Sequence, residues 1–210
     1  MGILERILES GEQRVIKDCQ EIITIAGSAN KLLMKGFHSE TALQKIHLLE
    51  RQSDRKVFSI VSMISAGSVA PNAIDNFMVL VKKEDDIVDS IYNLCREMCR
   101  YRIEEDRIEK MVDMKIMDLL GLATTSIGYL KVLFREDDRK NISMYRHRIA
   151  NLEEEGDIIK DWLLSYAYKK KMDFKSFNHT IELAHKADDI LDSCRSTADY
   201  FTNIMFSLTT

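Results

Sequence analysis

The sequence LVKKEDDIVDS at Leu80–Ser90 recurs as LAHKADDILDS at Leu183–Ser193, and the two stretches share seven of their eleven residues. They lie 103 residues apart. A second pair of related stretches, LERQSD at Leu49–Asp54 and LEEEGD at Leu152–Asp157, has the same separation. The chain of 210 residues therefore contains an internal repeat that divides it into two matched halves.

Each of these four stretches keeps two carboxylates that are four residues apart. Four residues make about one helical turn, so both members of a pair project from the same side of a helix. Like charges at this spacing repel each other slightly, so helix stability alone does not favour them. Their presence at matched positions in both halves indicates a function. The eight carboxylates form two sets, Glu50, Asp54, Asp85 and Asp89 in the first half and Glu153, Asp157, Asp188 and Asp192 in the second.

The composition favours helices. One proline and eight glycines are few for this length, and 45% of the residues are hydrophobic. Apolar residues recur at helical spacing nearly throughout, with breaks near residues 35–40, 67–72, 101–105, 135–141 and 169–173. The sequence predicts an all-α protein of six long helices, arranged as two tandem three-helix bundles with a pseudo-twofold internal repeat. The bundles would comprise residues 1–103 and 104–210, with neighbouring helices antiparallel.

Local signals place the helix ends. Pro71 suits the first turn of the third helix, where its missing N–H costs little. Ser39, Ser143 and Asp173 are expected near helix N-caps. Trp162 falls on an apolar stripe and is expected in the core.

A helical wheel separates the carboxylates into two kinds. Six of them are predicted to lie outside the apolar stripe of their helix. Glu50 and Asp54 are the exceptions, because they fall close to the apolar stripe of the second helix. A carboxylate in that position needs a partner, since burying an unpaired charge is costly.

Other features exclude several classes of protein. The net charge of −4 leaves no basic footprint for nucleic acid. The four cysteines lack the spacing of a secreted domain and are expected as small buried side chains, although Cys95 and Cys99 lie one turn apart, as metal ligands can. Residues 1–10 do not resemble a signal peptide, and the longest uncharged stretch, Val57–Ile74, contains serine, asparagine and proline. The expected protein is soluble and cytoplasmic.

Converging carboxylates can bind hard cations, act as an acid and base pair, or form salt bridges. The sequence leaves all three open, and it favours cations because duplicated pairs lack the asymmetry that acid and base catalysis needs. Glu182-x-x-His185 occurs once, so the paired Glu-x-x-His motifs of di-iron proteins are absent. His185 precedes Asp188 by three residues and is either an extra nitrogen ligand or a solvated side chain.

The motifs ERQSD, DDIVD, EEEGD and DDILD, at a repeat of 103 residues, resemble those of the PhoU family. The chain is most similar to PhoU-like proteins associated with Pit-type phosphate transporters. This resemblance implies two pseudo-symmetric three-helix bundles that carry one multinuclear iron or zinc cluster per repeat, held by the eight carboxylates. It also implies regulation of phosphate uptake, without catalysis, through a transporter or a signalling protein. Contact with a membrane would be only through that partner, and a homo-oligomer is possible.

This chain departs from the family pattern in two ways. Its third-helix motifs begin with Asp where Glu is frequent, which shortens the ligand arm. Glu50 and Asp54 also lie differently from Glu153 and Asp157 on the wheel, so the two sites are expected to differ. The main alternative is a metal-free helical adaptor whose acidic pairs form salt bridges to a partner. A metal-dependent phosphohydrolase is a weaker alternative.

Overall fold

The computed structural model describes residues 10–208, and these contain six α-helices and no strand. The prediction of an all-α, six-helix protein is confirmed. The interpretation of residues 1–10 as unlike a signal peptide falls almost entirely outside the described residues. The helices are α1 (Ser10–Lys35), α2 (Glu40–Met63), α3 (Ile74–Met98), α4 (Asp106–Leu133), α5 (Arg139–Lys169) and α6 (Phe174–Leu208).

The helices form two three-helix units that pack side by side. α1, α2 and α3 contact one another, as do α4, α5 and α6, while α1 packs against α4 and α3 packs against α6. Asn30 on α1 shows this contact between units, because its side chain donates to the Leu120 carbonyl at 3.0 Å and to the Thr124 hydroxyl at 2.8 Å on α4. α2 and α5 pack mainly against their own units. The predicted boundary at residue 103 lies in the connection between α3 and α4, and the division into two domains stays a prediction.

The contact between α3 and α6 supports the pseudo-twofold relation. The Ser90 and Ser193 hydroxyls lie 3.4 Å apart, and these residues occupy equivalent positions in the repeat. A residue on a twofold axis contacts its own equivalent, so the axis passes near this pair. A further bond across the interface runs from the Thr197 hydroxyl to the Lys83 carbonyl at 3.0 Å. The two repeats therefore meet at the motifs that define them.

The hydrophobic core is continuous across both units. Large aromatic side chains contribute to it, and the rings of Phe134 and Phe201 stack at 4.2 Å. The predicted apolar stripes of the third helix of each unit are all buried: Phe77, Leu80, Val81, Ile87, Val88, Ile91, Leu94, Cys95 and Met98 on α3, and Ala184, Ala187, Leu191, Cys194, Ala198 and Phe201 on α6.

Among the described residues, α4 alone is long and apolar enough to cross a membrane by length and composition. Its apolar residues have another explanation, because α4 packs against α1, α5 and α6. Ten of its side chains are buried in the core. Packing within the protein therefore accounts for the composition of this helix.

The helix N-caps were predicted in part. Ser39 caps α2, with its hydroxyl accepting from the Ala42 N–H at 3.4 Å, and Asp173 accepts from the first N–H groups of α6. The expectation for Ser143 is wrong, since α5 begins at Arg139 and its cap is Asp138. The charged run before Asn141 has no apolar periodicity, so the periodicity could not reveal this first turn.

The connection between α2 and α3 differs from its prediction. α2 ends in a π-helical turn, Ile64–Ser68, in which Gly67 has a φ of 85°. Pro71 lies in the turn that follows, before α3 begins at Ile74, so its placement in the first turn of α3 is wrong. The start of α1 packs closely here, because a Cβ on Gly11 would lie 1.5 Å from the Ser68 carbonyl oxygen.

Two smaller expectations have mixed outcomes. Cys19, Cys95 and Cys194 are buried and Cys99 is half-buried, as expected for packing side chains. Trp162 is 39% exposed and lies at the surface of α5, so its placement in the core is wrong.

The core contains a carboxyl group whose burial is hardly compensated by hydrogen bonds. Glu84 on α3 is fully buried, and neither of its oxygens has a conventional hydrogen-bond partner. The Cys19 thiol, a weak donor, is its nearest polar neighbour. Burial raises the pKa of Glu84 well above its ordinary value of 4.5, which favours the neutral carboxyl in the folded state.

We expect Glu84→Met to stabilise the protein by about 1 to 3 kcal/mol at pH 7, because it removes an unsatisfied buried polar group. The folded state holds the Glu84 proton more tightly than the unfolded state does. The contribution of Glu84 to the free energy of unfolding is therefore most favourable below pH 4.5. It becomes less favourable as the pH rises towards the pKa of Glu84 in the folded state. Urea unfolding between pH 5 and 8 should show a flatter pH dependence in the variant. Glu155→Met, at an exposed position of α5, is the control, and an equal effect there would contradict the prediction.

Candidate metal centre

The four carboxylates of the first repeat, here called site 1, lie along the contact between α2 and α3. Glu50, Asp85 and Asp89 are half-buried and Asp54 is exposed. The two helices are joined at the site by a hydrogen bond of 2.7 Å, which the Ser53 hydroxyl donates to Asp85 Oδ1. Site 1 is therefore a groove between two helices that presents four negative groups.

The charges of site 1 repel one another. Burial, together with repulsion from Asp85, Glu50 and Asp54, raises the pKa of Asp89 to about 6. Burial also raises the pKa of Asp85 and of Glu50, with added repulsion from Asp54 in both cases. Among the described residues, no lysine or arginine forms a salt bridge with any of the four carboxylates. The groove therefore has an excess of negative charge, which a bound cation would neutralise.

One oxygen of site 1 lacks a partner. Glu50 Oε2 is buried and accepts no hydrogen bond from the described residues. The nearest basic group is His47, whose Nε2 lies 3.8 Å from this oxygen, and whose ring stacks on Tyr92 with centroids 5.2 Å apart. His47 precedes Glu50 by three residues on the same helix face, and this spacing could have revealed it from the sequence. The nitrogen ligand that the sequence suggests is His185 instead, and His185 is exposed on α6.

The second set, here called site 2, has its own cations. Glu153 and Asp188 are buried, and Asp157 and Asp192 are more exposed. The Lys160 ammonium donates to both Asp157 Oδ1 and Asp188 Oδ2.

The remaining buried carboxylate of site 2 is also paired. The Arg195 guanidinium donates to Glu153 Oε2. The two sites therefore have the same carboxylates at equivalent positions, but only site 2 has carboxylates paired with a lysine and an arginine.

The pKa shifts in site 2 reflect two opposed effects. Burial raises the pKa of Asp188 and of Glu153, and the bonds to Lys160 and Arg195 work against this rise. Burial lowers the pKa of Lys160, but its bonds to the two aspartates outweigh that effect and raise it overall. An ammonium within hydrogen-bonding distance of two carboxylates is charged at pH 7, so the contacts in site 2 are ion pairs.

The wheel prediction for site 2 is wrong in part. Glu153 and Asp188 were expected outside the apolar stripes, yet they are only 7% and 3% exposed. A wheel describes one helix by itself, whereas the flank of α5 and the flank of α6 cover each other. Asp85 and Asp89 are half-buried for the same reason, between α2 and α3. Glu50 lies near the stripe as predicted, but Asp54 is exposed.

A third cluster lies at one end of the bundle. This cluster consists of His38, Glu109 and Asp113, whose ligand atoms all lie within 4.8 Å of one another. Among the described residues, neither site 1 nor site 2 contains three ligand atoms that lie so close together. His38 Nδ1 donates to the Met98 carbonyl at 2.9 Å, and Nε2 lies 3.0 Å from Asp113 Oδ1. Arg102 donates to Glu109 at 3.0 Å.

This third cluster is better described as an ion-pair network. A carbonyl and a carboxylate are both acceptors, so His38 must carry a proton on each ring nitrogen. The hydrogen bond to Asp113 accordingly raises the pKa of His38. With His38 cationic and Glu109 held by Arg102, the charges of this cluster are already compensated.

The metal implied by the carboxylate motifs thus fits one site and not the other. Each site has a buried oxygen without a hydrogen-bond partner, Glu50 Oε2 in site 1 and Asp188 Oδ1 in site 2. Site 1 adds a neighbouring imidazole, and no lysine or arginine among the described residues pairs with its carboxylates. Site 2 has an ammonium and a guanidinium on its buried carboxylates.

The fold was compared with known proteins. No protein-family model and no curated protein sequence matches the chain. A PhoU-like protein from Shewanella oneidensis MR-1 matches with a TM-score of 0.70 at 15% sequence identity, over 92% of this chain and 99% of its own. A PhoU-like phosphate regulatory protein from the same bacterium matches with a TM-score of 0.69 at 16% identity and the same coverage. The chain has a PhoU-like fold, as its motifs predicted.

Equivalent substitutions in the two sites should have opposite effects on stability in the absence of metal. Asp85→Asn relieves repulsion and keeps an acceptor for Ser53, so we expect a gain of about 0.5 to 1 kcal/mol. Asp188→Asn weakens a buried ion pair, so we expect a loss of about 1 to 3 kcal/mol. Urea unfolding with a chelator at pH 7.5 measures both, and effects of the same sign would contradict the electrostatic difference between the sites.

Proposed function

We propose that this protein is a PhoU-like regulator of inorganic phosphate uptake that binds metal ions at site 1 and docks to a transporter or a signalling partner. The observation that carries the proposal is the uncompensated carboxylate groove of site 1, with the buried Glu50 Oε2 lacking a partner. The PhoU-like fold supports the biological role, because one of its structural neighbours is described as a PhoU-like phosphate regulatory protein. A Pit-type transporter is the partner that the sequence resemblance suggests.

Site 1 would hold iron or zinc through Glu50, Asp54, Asp85 and Asp89. Carboxylate oxygens suit hard cations, and an imidazole ligand from His47 would make zinc or iron(II) more favourable. A bound cation supplies positive charge to a groove that otherwise repels anions. Phosphate could approach these carboxylates only when that charge is present.

A separate surface suits docking. A cleft of about 290 Å³ at the end of α5 is lined by Trp162, Tyr166, Lys169 and Lys170. The Trp162 and Tyr166 rings stack at 5.0 Å, and Trp162 is partly exposed although its ring is large and apolar. Aromatic side chains beside lysines fit an acidic, partly apolar surface on a partner. We assign docking to this cleft rather than to site 1.

The proposed role is regulatory and not catalytic, with the protein in the cytoplasm and at the membrane only through its partner. The adaptor alternative gains support from site 2, where Lys160 and Arg195 form salt bridges with the acidic groups. It would lead if site 1 also proved unable to bind a cation. The phosphohydrolase alternative requires metal-dependent turnover of a phosphoester, which a simple assay with a chromogenic ester tests.

Protein purified without chelator or affinity-tag metal should contain iron or zinc. Asp85→Ala combined with Asp89→Ala should lose it, because these substitutions remove the α3 half of the ligand set. Elemental analysis by plasma mass spectrometry provides the measurement. Asp161→Ala, an exposed carboxylate of α5, is the control for the change in charge. Metal-free wild-type protein that takes up no iron, zinc or manganese on titration would refute metal binding.

Docking and metal binding should be separable. Trp162→Ala and Lys170→Glu should each weaken binding to the cytoplasmic face of the transporter about tenfold or more, because an aromatic anchor or the local charge is lost. Surface plasmon resonance with the transporter in nanodiscs measures this binding, and the metal content should stay that of the wild type. Phe58→Ala, an exposed aromatic on α2, is the matched control.

A further inference from the structure

The two sites differ at the positions that decide their charge. The residue equivalent to Lys160 in the first repeat is Val57, and the residue equivalent to Arg195 is Tyr92. The second repeat therefore has a cation at both positions, and the first repeat has an uncharged side chain at both. The carboxylates themselves are the same in kind at all four pairs of equivalent positions.

Lys160 occupies the centre of site 2. It lies on α5 one turn after Asp157, and its ammonium reaches Asp188 on α6, so it joins the carboxylates of both helices. Its side chain is only 19% exposed. Asp188 Oδ1 is buried and has no partner, which shows that the ammonium compensates Asp188 through its other oxygen only. The Lys160 ammonium therefore occupies the position between the two helices that a metal ion would need.

Arg195 and the local packing act in the same direction. The Arg195 guanidinium holds Glu153, whereas its equivalent Tyr92 stacks on His47 beside Glu50. The position equivalent to His47 is Ala150, so site 2 has no imidazole.

The backbone contact between the helices also differs between the repeats. The position equivalent to Ser53 is Gly156, and a Cβ there would lie 2.4 Å from Leu191 Cδ1. Leu191 therefore fills the space that the Ser53 side chain has in the first repeat. Site 2 thus lacks the hydroxyl that fixes Asp85 in site 1.

We propose that site 2 is permanently closed to metal by Lys160 and Arg195, so that the chain binds metal in its first repeat alone. This inference rests on the proposed function for its positive site and deepens it by fixing where metal binds. It departs from the expectation of one cluster per repeat. The pseudo-symmetric protein is then asymmetric in its chemistry, with an internal cation in one half and an exchangeable cation in the other.

Manganese binding tests the inference, with Mn²⁺ as the probe because it prefers oxygen ligands and is visible by electron paramagnetic resonance. In the wild type, Asp85→Asn should abolish binding and Asp188→Asn should leave it unchanged. Lys160→Val with Arg195→Tyr, the residues of the first repeat, should gain a second class of sites that Asp188→Asn removes. Lys160→Arg keeps the cation and should gain none. Val57→Lys, the reverse exchange, should abolish binding at site 1.

The possible results separate this inference from the proposed function. Loss of part of the bound Mn²⁺ on Asp188→Asn, or no gain in the double variant, would overturn the inference while leaving metal binding at site 1 intact. A gain in the double variant with no binding by the wild type would refute metal binding at site 1, and with it the proposed function, and would support only the closure of site 2 by Lys160 and Arg195.

A second measurement applies if the double variant does not fold. Paramagnetic broadening by Mn²⁺ in the unmodified protein should affect the amide signals around Ser53 and spare those around Gly156. Broadening of both regions would overturn the inference.

Discussion

The packing of α3 against α6 determines where every other group of this protein can lie. Each of these helices contacts two helices of its own unit and its counterpart across the pseudo-twofold axis, where Ser90 meets Ser193. Apolar residues occupy the faces towards these neighbours. The flank towards α2, or towards α5 in the second unit, carries the repeated aspartates. The aspartates therefore lie in grooves between helices, half-buried, and not on a fully solvated surface.

A carboxylate in such a groove requires compensation, and the protein shows two solutions to the same problem. In the second repeat, Lys160 and Arg195 are part of the chain, so the compensation is permanent. In the first repeat the corresponding side chains are uncharged, and burial with mutual repulsion raises the pKa of Asp89 to about 6. The cost of the uncompensated groove is a loss of stability, which a ligand that binds only the folded state can restore. On the proposed metal binding, the first repeat responds to the cations around it and the second repeat does not.

The sequence alone was sufficient for the fold because the relevant signals are local. Helical periodicity and scarce breakers revealed six helices, and the 103-residue repeat revealed two units. The same signals failed where structure depends on contacts between helices. A wheel could not place Glu153 and Asp188 in a groove, and it placed Trp162 in the core although that side chain is 39% exposed. Lys160 was missed because its role needs the position of α6, although its replacement of Val57 is visible once the repeats are aligned.

The asymmetry also limits how a regulatory signal could work. The cleft at Trp162 that we propose for docking belongs to α5, in the second unit, and site 1 lies between α2 and α3 in the first. The two units meet through α1 against α4 and α3 against α6, so any effect of a cation on docking has to pass through these interfaces. α3 is the one helix that both carries Asp85 and Asp89 and contacts α6 directly. A cation that draws α2 and α3 together would therefore act on the second unit through the contact of Lys83 and Ser90 with α6.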